Sequence, residues 1–439
     1  ILCQTTDFHA NVYEMDGYRE FYDINKFFGE EVRELLESDP AEIVHVHDFQ
    51  LLLLYKHIPR GTPLILTWHG PFFDSFPETL KNFLVEHMSM YDKIIFSGPL
   101  YRESAIKAGL DPMKCEVIYP IANTRKFKPM PIDKNAVRAK YDIPPDVPLC
   151  ICVQRIDWRS SHIQLINAFR KVVDTMPNAI LGFVGKTSMS QKISGHRDAL
   201  TQDVFDLVEK LGLKQNVRFL GNVSYYDLPE LYNVTDIVCC TPRMETFGLS
   251  VTEAMACGKP VVGTDVGGIP LQVRDGETGF LVEVDDYSRT GECILKLLQD
   301  GDLRERFGKE SHKVVRRNFT LGERVTEHIH LYQNVLRRKS DLWRVSMIGK
   351  TFEAVVTDFD NTVTARPGEL SEDVKNRMAK WNKPWILATG RGLDWAKEMA
   401  TKHKCWKAIV AENGAIIYFP KLKKTIRIES EYLAQAIAL

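Results

Sequence analysis

The sequence contains no apolar run approaching the roughly 18 residues that a membrane-crossing helix requires, so no such span is expected. Charge of neither sign is in excess. The formal balance is −1 over 439 residues, which supplies no basic field for nucleic acid or an anionic membrane. Ile1 to Ala10 lacks the basic-then-apolar plan of a secretory leader and begins without methionine, so the true start is expected upstream. The nine cysteines are odd in number and show no metal-ligand spacing; Cys150, Cys152, Cys239 and Cys240 fall inside strand-like runs. Reduced, buried thiols and a cytoplasmic location are therefore expected. No tract is of low complexity, and nothing repeats beyond two similar halves. What is present, 44% hydrophobic beside 26% charged residues, is the balance of a globular chain, long enough for about two to three domains.

Each half alternates strand and helix. In the first, apolar runs at Ile43 to Asp48, Pro63 to Thr67, Asp92 to Ser97 and Cys115 to Tyr119 read as strands. A helical stretch from Phe27 to Glu37 precedes them, Leu51 to Tyr55 reads as a buried helix, and Leu100 to Ala108 as another. The second half begins at Pro148, with strands near Leu149–Val153, Ala179–Val184, Val217–Leu220, Ile237–Cys240, Val261–Gly263 and Phe280–Val282. Such alternation predicts parallel sheets covered on both faces, with functional groups beyond the carboxyl ends of the strands. Two strand ends of the first half carry candidates: His47-Asp48 and His69-Gly70.

The stretch from Arg243 to Pro260 organises the second half. A buried strand, Asp236 to Cys240, turns through Pro242 into a helical run that Gly258-Lys259-Pro260 stops. A strand feeding a helix through a short turn aims free N–H groups at the carboxyl edge of the sheet, where an anion can sit. Phe247-Gly248-Leu249 forms that turn, and Gly248 lets the backbone come close. Glu245 before it and Glu253 after it are two acids with seven residues between them.

This acidic pair, followed in order by Gly258-Lys259-Pro260, Gly267-Gly268-Ile269 and Asp275-Gly276-Glu277-Thr278-Gly279, resembles the Glu-x7-Glu signature of the retaining GT-B glycosyltransferases, the group of glycogen, sucrose and trehalose synthases. The resemblance implies an α/β fold of two Rossmann-like lobes, 1–125 and 126–336, with Asn123 to Pro129 between them and the helix Leu321 to Val335 crossing back to the first. It further implies that Glu245 binds hydroxyls of the donor sugar, Glu253 the nucleotide ribose, and His47 the donor sugar from the other lobe. A lone histidine after a strand is more often a structural group; His69 is a second candidate, and His45 is expected to point the other way. Gly267 and Gly268 either approach the sugar or base or form an ordinary turn.

Breaking a sugar–diphosphate bond requires fixed cations and N–H donors where charge develops. Arg155 stands where the family has its arginine, but Ser160 and Ser161 replace the expected Lys-Gly. Arg159 is adjacent, and its guanidinium suits phosphate oxygens; the other reading is a crippled protein that relies on Arg155 and backbone donors. No metal cluster accompanies this site, and no cofactor is expected for it. The family's Gly-rich turn does not precede His47, where Gly17 is isolated, so the first lobe is expected to be incomplete and the acceptor is not readable.

A basic connector, 337–350, leads to a third unit, 351–439. There Ala354 to Thr362 is a buried strand ending in Asp358 and Asp360, followed later by Ala388-Thr389-Gly390-Arg391 and Glu412-Asn413-Gly414. Together these resemble the HAD phosphatases. The resemblance implies Asp358 as nucleophile, Asp360 as acid, Thr389 as phosphate ligand, and Mg2+ held by the two aspartates. The chain ends at Leu439, ahead of the pattern's later lysine and acidic loop, so this partial Rossmann unit is expected to be truncated. The combined expectation is transfer of a hexosyl group from a UDP-, ADP- or GDP-hexose to a sugar or sugar-phosphate acceptor, of the trehalose- or sucrose-phosphate-synthase kind. The alternatives are a glycogen-type synthase and a weakened, regulatory binder of nucleotide sugars.

Overall fold

The computed structural model describes residues 12–343 apart from 60, 158 and 186–196, and, beyond them, 355–358, 364–366, 369–370, 385–388, 393–402, 406–411, 416–421 and 423–427. The first lobe is a parallel sheet of β1 (Val44–His47), β2 (Leu64–Trp68), β3 (Lys93–Phe96) and β4 (Cys115–Val117), paired in that order. Successive residues of a strand face opposite ways. Leu64, Leu66 and Trp68 therefore enter one core, with α1 (Tyr18–Ser38), α2 (Glu78–Met88) and α3 (Pro99–Lys107). Ile65 and Ile95 enter another.

Helix α1 is longer than the Phe27 to Glu37 stretch, because Tyr18, Phe21, Phe28, Val32 and Leu36 all pack toward the core. Where a buried helix was expected at Leu51 to Tyr55, the chain makes two short 3-10 turns, Phe49–Leu51 and Leu54–Lys56. Buried Asn25 holds them in place. Its amide donates to Gln50 O at 2.9 Å and accepts from Leu53 N at 2.9 Å, so backbone groups that a helix would have paired are satisfied by a side chain.

The second lobe runs α4 (Lys134–Ala139), β5 (Leu149–Val153), α5 (His162–Thr175), β6 (Ile180–Val184), α6 (Arg197–Lys210), β7 (Val217–Gly221), α7 (Leu228–Val234), β8 (Ile237–Cys240), α8 (Leu249–Ala256), β9 (Val261–Thr264), β10 (Gly279–Val282), α9 (Tyr287–Gln299) and α10 (Gly301–Asn318). Its strands alternate between two cores. Cys150, Cys152, Ile237, Cys239 and Val262 face α5 and α9, while Leu149, Ile151, Val238, Cys240 and Val261 face α7, α8 and α10. Burial on both faces is why these strands read as continuous apolar runs. The spatial order β10-β9-β8-β5-β6-β7 is all parallel. The chain winds outward from β5 in one direction, then returns to wind outward from β8 in the other. Such a reversal opens a crevice beyond the carboxyl ends of the two central strands.

Helix α11 (Leu321–Trp343) closes the first lobe. Its Leu331 and Val335 pack on Ile65, Ile95 and Ile118, the face that α1 to α3 leave open. The crossing-back expected for Leu321 to Val335 is thus observed. Behind it, β11 (Val355–Asp358), β14 (Trp385–Ala388) and β15 (Trp406–Ala411) are parallel, and β16 (Ile416–Phe419) and β17 (Lys424–Arg427) continue that sheet antiparallel; β12 (Thr364–Arg366) and β13 (Glu369–Leu370) form a small ribbon. One described helix, α12 (Leu393–Lys402), lies between β14 and β15 in the chain.

Candidate active site

The loops after β5 and β8 meet at the point where the strand order reverses. Arg243 N donates to Arg159 O at 2.6 Å, tying one loop to the other. Inside the first loop, Asp157 is 6% exposed and is surrounded by donors. It accepts from Arg159 N at 2.9 Å, Ser160 N at 3.1 Å, Ser160 Oγ at 3.1 Å and Arg159 Nη2 at 3.1 Å. Ser160 is thereby a buried prop of the loop. Ser161 adopts φ 45° and ψ 47°, a left-handed conformation that glycine takes without strain; this accounts physically for a glycine at the matching place in the family. Arg159 keeps its side chain part-exposed and lowers the carboxyl pKa of Glu245 by its charge. Arg155 is exposed and forms no ion pair with any described residue.

Glu245 lies half-buried on the loop after β8. Burial raises its carboxyl above the ordinary range; opposing that are the Thr246 N–H, 3.0 Å from Oε1, the Arg159 charge and the Phe247 N–H. Phe247 is 4% exposed and packs against Tyr119 and Phe319, so its side chain anchors the turn while its N–H serves the carboxylate. Gly248, at φ 85° and ψ 64°, opens α8, and Leu249 is exposed beside it. Gly267 and Gly268 support this turn. A Cβ on Gly267 would lie 1.7 Å from Glu245 O, and one on Gly268 2.6 Å from Phe247 Cα. Buried Gln272 completes the support by donating to the carbonyls of Phe247 and Gly268.

Glu253 points to a different neighbourhood. Tyr232 Oη donates to its Oε2 at 3.4 Å, and burial raises its pKa to about 8 against the opposing pull of Tyr232 and the Lys126 charge. Lys126, on the interlobe segment, sits 4.1 Å from the Tyr225 ring and 3.6 Å from the Tyr226 ring. Its own pKa falls to about 8, chiefly by burial. Sequence reasoning missed this box and Asp157. The adjacent tyrosines, and the acid between two arginines, were the available signals.

In the first lobe, three histidines stack. His47 Nδ1 lies 3.1 Å from His69 Nε2, and the rings of His45 and His47 are 4.4 Å apart. The expected opposite orientation of His45 is therefore wrong, for a simple reason: residues two apart on a strand share a face. His45 is tied by Tyr332 Oη and Thr67 Oγ1, each at 2.7 Å, and so is structural. Burial and the neighbouring His69 and His328 lower the His47 pKa to about 4. His47 is thus a neutral ring, packed on two histidines yet reaching solvent, with Nε2 taken by no described residue. Asp48 follows at φ 65° and ψ −175°, a conformation nearly confined to glycine, and its buried Oδ1 has no partner among the described residues.

In the third unit, Asp358 ends β11 beside Ala388 of β14. Asp360 and Thr389 lie outside the described residues.

The haloacid dehalogenase-like hydrolase family model matches residues 355–438. Residues 133–314 match the model of glycosyl transferases group 1, and residues 9–126 that of glycosyltransferase family 4. The N-acetyl-alpha-D-glucosaminyl L-malate synthase of Bacillus anthracis is 35% identical over 314 residues, which are 69% of this chain and 77% of that protein. The trehalose synthase of Pyrococcus horikoshii is 27% identical over 76% of this chain and 84% of its own. Among solved structures, sucrose-phosphate synthase of Thermosynechococcus elongatus superposes with a TM-score of 0.62 at 22% identity, over 72% of this chain and 79% of that one. Anabaena HepE, solved with UDP-glucose, gives 0.59 at 21% identity, over 72% and 81%. Two parallel Rossmann-like sheets joined by a returning helix are the GT-B fold, and the chain belongs to the group 1 glycosyltransferases, with a haloacid dehalogenase-like unit behind its second lobe.

Proposed function

We propose that the two lobes, 1–125 and 126–336, transfer a hexosyl group with retention from a nucleotide-diphosphate hexose to a sugar or sugar-phosphate acceptor. The observation that carries this reading is the meeting of Arg159 and Glu245 at the switch point of the second sheet. Glu245 takes hydroxyls of the hexose, Glu253 those of the ribose, and neutral His47 approaches the sugar from the first lobe. Arg159 and Arg155 face the diphosphate, and the N–H groups around Phe247, Gly248 and Leu249 add fixed donors without reorganising. Ser160 takes no part, so Arg159 carries the role that a lysine has in the family. The acceptor oxygen attacks the anomeric carbon on the face the diphosphate leaves. The sugar–oxygen bond breaks with its electron pair going to the diphosphate, and the acceptor's proton passes to a departing phosphate oxygen.

The third unit, joined by 337–350, fits removal of a phosphate from a sugar phosphate. Asp358 stands at the carboxyl edge of a parallel sheet, and carboxylate oxygens are the donors Mg2+ prefers. Asp358 and Asp360 would hold that ion, whose charge screens the phosphate; Asp358 attacks phosphorus as the bond to the sugar oxygen breaks, Asp360 gives that oxygen its proton and then takes one from the water that cleaves the aspartyl phosphate and frees inorganic phosphate, and Thr389 orients the phosphoryl group.

The test is release of nucleoside diphosphate from a panel of nucleotide hexoses, UDP-glucose first, with glucose, hexose phosphates and L-malate as acceptors. Turnover that Glu245→Ala lowers by at least about 10²-fold supports the reading. Tight binding without turnover on any acceptor replaces it with a regulatory sugar-nucleotide binder.

A further inference from the structure

Tyr101, on α3 of the first lobe, reaches the loop after β8 of the second lobe. Its hydroxyl is 2.9 Å from Glu245 O and 3.0 Å from Thr246 O, and the residue is 1% exposed. Burial and the nearby Glu245 hold the phenol well above its ordinary pKa, so it stays a donor. In a trans peptide the C=O and the following N–H point opposite ways. Turning the carbonyls of Glu245 and Thr246 toward Tyr101 thus turns the N–H groups of Thr246 and Phe247 away from it. The Thr246 N–H bonds the Glu245 carboxylate at 3.0 Å, and the Phe247 N–H favours its charged form from beside it.

We propose that Tyr101 is a positioning residue that couples the approach of the two lobes to the setting of the Glu245 carboxylate. One hydroxyl on the first lobe fixes two peptide planes on the second, and those planes aim two donors at the acid. The proposal rests on the reading of Glu245 as the group that binds the donor sugar.

The shape of the contact agrees. A Cβ on Gly267, whose φ is 55°, would lie 2.7 Å from Tyr101 Oη, and a Cβ on Gly98 would lie 3.1 Å from Leu271 Cδ1. Gly267 leaves room for the Tyr101 hydroxyl where a Cβ would displace it, and Gly98 lets the start of α3 lie close against the Leu271 side chain. The Tyr101 ring is held separately, edge-on to Phe73 at 5.7 Å, so the hydroxyl can be removed while the packing remains.

The experiment compares wild type and Tyr101→Phe, both full-length, by hydrogen exchange of the amides in 244–248 and by the pH profile of kcat/KM with a nucleotide hexose. In the variant, exchange at Thr246 and Phe247 rises about tenfold, and kcat falls about tenfold with donor KM changed less, the scale of one hydrogen bond. The acid limb of the profile moves up in pH, because the carboxylate loses donors that favour its charged form. Gly98→Trp, which keeps the hydroxyl but sets more bulk against Leu271 than a shift of that side chain absorbs, gives the same rise in exchange even where Tyr101→Phe folds poorly. Unchanged exchange in both variants overturns the proposal, as does raised exchange with an unmoved acid limb. If wild type turns over no nucleotide sugar, the transferase reading fails, and the exchange of 244–248 alone decides the coupling.

Discussion

At Glu253, burial lifts the carboxyl from an ordinary 4.5 to about 8. Between those values the unfolded chain has released a proton that the folded chain retains, so stability falls as pH rises through the window. Glu253→Gln mimics the protonated form and removes the dependence. Thermal melts at pH 5 and pH 8 should therefore show the variant gaining on wild type as pH rises; parallel curves would refute the assignment. Arg159 gives a second outcome. Arg159→Ala removes a charge that lowers the Glu245 pKa and that the proposal turns toward the leaving group, so kcat should fall about 10²-fold and the acid limb should move upward, with Arg159→Lys retaining more. An unaffected kcat would return the diphosphate to Arg155 alone. That Glu245 and Arg159 stand on neighbouring loops at the carboxyl ends of β5 and β8 was legible in the sequence, because a turn and its flanking charges are local features. Tyr101 was not, since 144 residues separate it from Glu245 and no local spacing records a contact between lobes. The face of His45 was legible and misread, as strand alternation alone decides it.

Among the elements, the strands of the second lobe were the most readable. Ile237–Cys240 stands in the fold as its apolar run suggests, because burial on both faces writes an unbroken apolar word. Helix α2 went unread although its buried Leu80, Phe83, Leu84, His87 and Met88 follow helical spacing after Pro77; the short strands on either side drew the pattern. Helix α11 is where an element-scale test has most leverage. Leu331 is 6% exposed and covers the second face of the first sheet, so Leu331→Ala should lower unfolding free energy by about 2–4 kcal/mol in denaturant titration. A loss under about 0.5 kcal/mol would mean that the helix does not seal that face.

For the whole molecule, the third unit sets a test of independence. If the third unit acts as proposed, Asp358→Asn should abolish Mg2+-dependent release of inorganic phosphate from sugar phosphates while leaving nucleoside diphosphate release within about twofold, since substitutions at sites with no shared partners add independently. A matching drop in both activities would instead tie the units into one machine. The two-lobed plan was legible from the alternation of strand and helix, whereas the acceptor was not, because nothing local in the first half marks it.

The path of α11 has a mechanical corollary. The helix leaves the second lobe beside Phe319 and Tyr119, then spends its later turns against Ile65, Ile95 and Ile118. With a rise of about 1.5 Å per residue, its 23 residues form a boom roughly 35 Å long that is bolted to the first lobe. A swing of one lobe against the other therefore has to be taken up where the helix begins, near Leu321, and not along the turns fastened at Leu331 and Val335.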